Sequence, residues 1–228
     1  MSNELTNTEP VRQVSRGMLI VVSSPSGGGK GTLIDRVLKT VPNLAFSVSY
    51  TTRAPRGTEQ DGREYFFVDE STFRAMIERG EFLEWADVYG HLYGTAAAQV
   101  ARERAAGHDI ILEIDVQGAE SIRQAVPDSV SIFILPPSFS LLRNRLVARA
   151  TDSAADLERR LQGAPSEVAR YKHFDYVILN DDINRASQQL ASVIYAERAR
   201  RERQEVTLRE ALEDFGFGSE PGAVATGS

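Results

Sequence analysis

The stretch from residue 18 to residue 38 constrains this chain more than any other. Residues 18–23 (MLIVVS) are a continuous apolar run. They lead directly into Ser24-Pro25-Ser26-Gly27-Gly28-Gly29-Lys30-Gly31-Thr32, and then Leu33, Val37 and Leu38 recur at helical spacing. An unbroken apolar run of strand length is buried on both faces, which requires a parallel sheet with helices on either side. Glycines between strand and helix let backbone N–H groups converge on an anion, and the helix N-terminus adds positive potential. Lys30 brings a mobile point charge to the β- and γ-phosphates of a nucleotide. The segment therefore predicts a nucleoside triphosphate cradled by Ser24 through Thr32. It departs twice from the pattern G-x-x-x-x-G-K-[ST]: Ser24 stands at the first glycine, and Gly31 replaces the hydroxyl that ordinarily touches Mg²⁺. Thr32 is the next hydroxyl in line.

The rest of the chain alternates in the same way. Apolar runs at residues 46–50, 109–115, 131–135 and 176–179 read as further core strands. Helices are expected over 32–38 and 139–148, from Ser153-x-x-Asp156 (a capping box) towards Tyr171, and from Ile183 onward. Five long strands alternating with helices predict an α/β fold with a five-stranded parallel core sheet. Short strands at 65–68 and 82–88 break the rhythm. So do short helices at 73–79, with Asp69 or Ser71 as cap and Gly80 as stop, and at 96–106, ended by Gly107. They predict a small mixed α/β lobe, residues 50–97, inserted into the sheet protein. Residues 1–16 are polar and aperiodic, as expected of a flexible leader. The highly charged stretch Glu197–Glu213 reads as a solvent-facing helix, and residues 198–228 together as a charged helical extension ending in a disordered tail from Gly216.

Composition narrows the function. The 228 residues carry a formal net charge of -6, which excludes a general nucleic-acid or membrane-surface binder while leaving room for a basic cleft. With 0 cysteines, disulfides, thiolate nucleophiles and sulfur-ligated zinc are excluded. No apolar run approaches the ~20 residues of a membrane helix, and the N-terminus has no signal-peptide pattern. A soluble cytoplasmic protein is expected.

Ser49-Tyr50-Thr51-Thr52-Arg53-Ala54-Pro55-Arg56 follows the second strand, with two arginines three apart beside hydroxyls. That is a forked anion site at the carboxyl end of a strand, where ligands of such sheets bind. This segment, together with Asp61-Gly-Arg-Glu-Tyr-Phe-Phe-Val68, Gly80-Glu-Phe-Leu-Glu-Trp-Ala86, Tyr93-Gly-Thr95, Asp115-Val-Gln-Gly118 and Asn180-Asp-Asp182, resembles guanylate kinases over residues 17–197.

The resemblance implies a P-loop kinase fold with an acceptor-binding lobe and a helical lid at about residues 145–165. It implies ATP with Mg²⁺ as donor, and GMP, with dGMP less well accepted, as acceptor. By position, Ser49, Arg53, Arg56, Tyr65 and Tyr93 would hold the acceptor phosphate. Glu84, Thr95 and Asp115 would read guanine. Arg145, Arg149 and Arg160 would be lid arginines acting with Lys30 and Arg53 in catalysis, and Asn180 would lie near the donor adenine. Family members commonly have Ser where Thr95 stands and Asp where Glu113 stands. Thr32, Glu113 and Asp115 are candidates to reach the metal through water, and whether Thr32 or water replaces the hydroxyl absent at Gly31 is left open.

The chemistry of the residues agrees. Guanine presents N1–H and a 2-amino group as neighbouring donors, which one carboxylate, Glu84, accepts together; adenine offers a bare lone pair there. A site built on such bonds discriminates by ~10⁴–10⁵. The alternative is a catalytically silent protein-binding module on the same fold, against which the intact Lys30 and its glycines argue. Asp214-Phe215-Gly216 spells a protein-kinase signature without a catalytic loop and is read as chance. His91 is read as a surface residue and Trp85 as a packing residue. Oligomeric state is left open.

Overall fold

The computed structural model describes residues 15–148 and 154–217. The leader up to residue 14, the Ser153 cap, Arg149 and the tail after residue 217 lie outside the described residues.

Five strands make the core sheet: β1 (Leu19–Ser23), β2 (Leu44–Ser47), β7 (Asp109–Glu113), β8 (Val130–Leu135) and β9 (Tyr176–Leu179), all parallel, in the order β2-β7-β1-β8-β9. The apolar run at 18–23 explains why β1 is central. Its alternate residues are committed to opposite faces. Ile20 and Val22 pack with Leu33 and Val37 of α1 (Lys30–Thr40) and with Leu190 and Ile194 of α7 (Ile183–Arg198). Leu19 and Val21 pack with Val100 of α3 (Ala97–Ala105) and Ile122 of α4 (Val116–Ala125). Each fully buried aliphatic side chain here is worth about 1.5–3 kcal/mol, so the two-sided sandwich fixes the strand order firmly.

A second, mixed sheet is built from β3 (Ser49–Thr51), β4 (Tyr65–Phe67), β5 (Phe82–Val88) and β6 (His91–Ala96), ordered β4-β3-β6-β5. The helix α2 (Glu70–Glu78) connects β4 to β5 and is capped by Asp69, whose carboxylate accepts from the Thr72 N–H. Phe73 of α2 stacks on Phe82 at 4.5 Å between ring centroids and seals that sheet's own small core.

The strand expected at 46–50 is two strands. Phe46 lies opposite Ile111 in the core sheet, while Ser49 lies opposite Tyr65 in the small sheet, so the chain changes sheets at Val48. The strand expected over 109–115 ends at Glu113, because Asp115 turns away as the N-cap of α4, accepting from the Gly118 N–H at 2.8 Å. Asp115 thus has a partner within the chain while it lines the cleft described below. Trp85 is 46% exposed, not packed, since it points to the outer face of β5.

The helix expected from Ile183 onward breaks after Arg198, and α8 (Arg201–Asp214) follows. Glu197, expected on a solvated face, is only 3% exposed. It accepts from the Tyr176 hydroxyl and pairs with Arg200, and Arg203 donates to the Asp128 carbonyl, so the start of α8 is tied to the core. The helices α5 (Phe139–Ala148) and α6 (Ala154–Ala169) pack on each other through Leu142, Leu146 and Ala164. Among the described residues no helix is long and apolar enough to cross a membrane.

Candidate active site: a phosphate loop facing the small sheet

A cleft of about 570 Å³ opens at the carboxyl ends of the core strands, between the loop after β1 and the small sheet. Its floor is the loop 24–29. Gly27 and Gly29 take left-handed backbone angles, φ 83 and φ 87, so the turn into α1 is closed to other residues. A side chain at Gly27 would strike Leu146 of α5 at 3.0 Å, and one at Gly29 would strike the Asn180 amide at 2.6 Å. Ser24 is tolerated at the first position: it is not among the left-handed residues, it is buried, and its hydroxyl donates to the Pro25 carbonyl. The Gly28 carbonyl accepts from Asn180 at 2.9 Å and from Arg145 at 3.3 Å. Asn180 is thus a brace for the loop in this structure. Lys30 opens α1, with its Nζ 3.6 Å from Glu113 at the end of β7. Glu113 also stands 3.4 Å from where a side chain on Gly31 would begin. Thr32 is exposed and lies outside the residues lining the cleft.

The opposite wall is cationic and buried. Arg53 is 6% exposed, with Nε donating to the Tyr93 hydroxyl at 3.2 Å and an Nη donating to Glu59 at 3.0 Å. Its guanidinium lies over the Tyr65 ring at 5.3 Å. Burial alone would lower the Arg53 pKa, but Tyr93 and Glu59 outweigh it and hold it above its ordinary value. Glu59 also accepts the Arg56 backbone N–H at 2.8 Å. Sequence reading missed Glu59; its place three residues after Arg56 in a polar loop was the available signal. Ser49, Arg56, Tyr65 and Tyr93 all line the same wall.

Deeper in, Glu84 is 7% exposed and faces Thr95 across the β5–β6 pair, accepting from the Thr95 hydroxyl at 2.7 Å. Burial, opposed by that hydrogen bond and reinforced by Asp115, raises the Glu84 pKa to about 7. The absence of a side chain at Gly118 is required: a Cβ there would sit 2.6 Å from the Glu84 carboxylate and 3.3 Å from that of Asp115. Strand β6, which places Thr95 and Tyr93, was not foreseen. The dipeptide Tyr89-Gly90 between two apolar alternations was its signal.

A third wall comes from α6. Arg160 donates to the Ser26 hydroxyl at 3.2 Å, and Glu167 accepts from the Ser26 N–H at 3.0 Å. Of the expected site residues, all but Arg149 fall within the described chain; Arg145 and Asn180 reach the loop from behind, and Thr32 does not enter the cleft.

A family model described as guanylate kinase matches residues 16–197. The chain belongs to the guanylate kinase family. It is 51% identical over 192 residues to a guanylate kinase of Myxococcus xanthus, covering 84% of this chain and 92% of that one. It is 50% identical over 190 residues to one of Thiobacillus denitrificans, covering 83% and 91%. The crystal structure of guanylate kinase from Anaplasma phagocytophilum superimposes with a TM-score of 0.75 at 35% identity, over 90% of this chain and 98% of that one. The family fixes the enzyme class, a nucleotide kinase of the transferase group, and the two-sheet α/β architecture.

Proposed function

We propose that this cleft transfers the γ-phosphoryl group of ATP to GMP, and to dGMP less well, giving ADP and GDP. The observation that carries the reading is the pairing of a buried, hydroxyl-bonded Glu84 with Asp115 across from a lysine-bearing glycine loop. ATP occupies the loop from Ser24 to Gly31, with Thr32 just beyond it on the exposed side of α1. The small sheet with α2 is the acceptor lobe, and α5–α6 is the lid. Ser49, Arg53, Arg56, Tyr65 and Tyr93 hold the acceptor phosphate; Glu84, Thr95 and Asp115 read guanine.

The attacking atom is an acceptor phosphate oxygen, anionic at neutral pH, so no general base is needed. Rate comes from alignment and from charge neutralisation by Lys30, Arg53, Arg145, Arg149 and Arg160. Glu59 keeps Arg53 extended and paired until a phosphate takes its place. Mg²⁺ suits the site: the Glu113 carboxylate beside Lys30 and Gly31 is a hard oxygen donor, and Asp115 stands two residues on. Bound with the triphosphate, the metal would offset phosphate charge, held by these carboxylates through water. A cytoplasmic location, with free access to both nucleotides, fits a sequence with 0 cysteines and, among the described residues, no membrane-length helix.

A silent binding module is separated from this reading by one experiment. ATP with Mg²⁺ should raise the melting temperature of the wild type, and Lys30→Ala should abolish the shift. A wild type unmoved by saturating ATP would overturn the proposal.

A further inference from the structure

Tyr89 sits at the tip of the β5–β6 hairpin with φ 56, followed by Gly90 at φ 84. A two-residue turn with both angles positive is the natural place for Asn-Gly. An aromatic side chain in left-handed backbone is disfavoured, and such a residue persists where something else holds it. Here the tyrosine reaches across the cleft. Its hydroxyl donates to Glu167 Oε1 at 2.8 Å, and the other carboxylate oxygen of Glu167 accepts the Ser26 N–H of the phosphate loop at 3.0 Å. Burial, then the Glu167 carboxylate, pushes the Tyr89 phenol above its ordinary pKa, so it remains a donor.

The face of α6 that meets Tyr89 is shaped for it. Arg160, Gly163 and Glu167 are spaced i, i+3, i+7 and share one side of the helix. Arg160 lies over the Tyr89 ring at 5.7 Å and donates to the Ser26 hydroxyl. A side chain at Gly163 would begin 2.9 Å from the Tyr89 hydroxyl, so the glycine is the socket. Three segments that belong to different parts of the machine, the acceptor lobe, the lid helix and the donor loop, thus meet on one carboxylate.

We propose that Tyr89 and Glu167 are positioning residues for phosphoryl transfer: a catch that registers the acceptor lobe and Arg160 on the phosphate loop across the cleft. The inference rests on the acceptor and donor assignments above. It concerns how the parts are aligned, not how either nucleotide is gripped, because neither residue belongs to the loop backbone or to the arginine–tyrosine wall.

The test is steady-state GDP formation from ATP–Mg²⁺ and GMP, with binary dissociation constants measured separately for each nucleotide. Tyr89→Phe deletes one oxygen and keeps the ring under Arg160. It should lower kcat about tenfold or more, the size of one hydrogen bond to a charged group, while both dissociation constants stay within about threefold of the wild type. Glu167→Gln should act in the same direction, and the double variant should be no slower than the slower single one. Tyr89→Asn separates alignment from stability. Asparagine suits the turn, so the melting temperature should hold or rise while kcat falls. A merely structural tyrosine would not give that split. Phe and Asn variants that both keep kcat within about twofold of the wild type, or single effects that multiply in the double, would overturn the catch while leaving the assigned reaction intact. A wild type that makes no GDP would overturn the assigned reaction and the catch together.

Discussion

Glu84 and Thr95 stand directly opposite each other on β5 and β6, and the threonine hydroxyl donates to the carboxylate at 2.7 Å in a site almost closed to solvent. On the proposed assignment this pair selects guanine, and keeping it is costly, because burial raises the Glu84 pKa to about 7. An ionised Glu84 is the form that accepts two guanine donors. The affinity of the free enzyme for GMP should therefore drop several-fold between pH 7.5 and 6.5, on top of the titration of the nucleotide itself. Glu84→Gln should bind GMP far more weakly and lose that component. Calorimetric titration at the two pH values reads both.

The same group links pH to stability. Its folded pKa lies above the ordinary carboxyl value of 4.5, so the folded state binds the proton more tightly. The stabilisation it provides is complete below about pH 4.5 and disappears as pH rises through about 7. Without nucleotide, Glu84→Gln should melt higher than the wild type at pH 8, and the difference should shrink towards pH 5. Thermal melts at the two pH values check the sign.

Thr95 contributes its hydroxyl. Thr95→Ser should keep the GMP KM within about twofold, and Thr95→Ala should raise it about tenfold, because the buried carboxylate loses its donor. Initial rates over a GMP series distinguish the two variants.

Glu59 is the counter-charge of Arg53, which is 6% exposed. Removing it in Glu59→Ala strands a buried guanidinium and should cost about 3 kcal/mol of stability in the free protein. A phosphate-bearing ligand supplies the missing charge. GMP should thus raise the melting temperature of Glu59→Ala by more than it raises that of the wild type, as read by thermal shift across a GMP series.

Gly29 combines a φ of 87 with an Asn180 amide 2.6 Å from its absent side chain. Gly29→Ala should abolish the ATP-induced thermal shift, since it distorts the turn that presents the loop N–H groups. A normal shift in this variant would mean that ATP does not use the loop.

Much of this was legible in the residues. The strand at 18–23 is buried on both faces, and its run of apolar side chains says so. The loop reads from its glycines and Lys30, and its two departures from pattern fit the backbone: Ser24 needs no left-handed angle, and Gly31 lies against the Glu113 carboxylate. Long-range choices were not legible. Nothing local in Phe46–Tyr50 tells that Phe46 pairs with Ile111 while Ser49 pairs with Tyr65, because the switch at Val48 is decided by which sheet each half finds. Glu59 and Glu167 look like ordinary surface acids until folding puts Arg53 and Ser26 beside them. Glu197 was misread for the same reason: a charged sequence neighbourhood hides a carboxylate buried against Tyr176 and Arg200.

The most direct measurement is nucleoside diphosphate formation from ATP–Mg²⁺ with GMP, AMP, CMP or UMP as acceptor, alongside an acceptor-free control and Lys30→Ala. The account predicts rapid turnover with GMP, rates at least about 10⁴-fold lower with the other three, and loss of the reaction in Lys30→Ala. Comparable turnover with AMP, or no turnover with any acceptor, would contradict it.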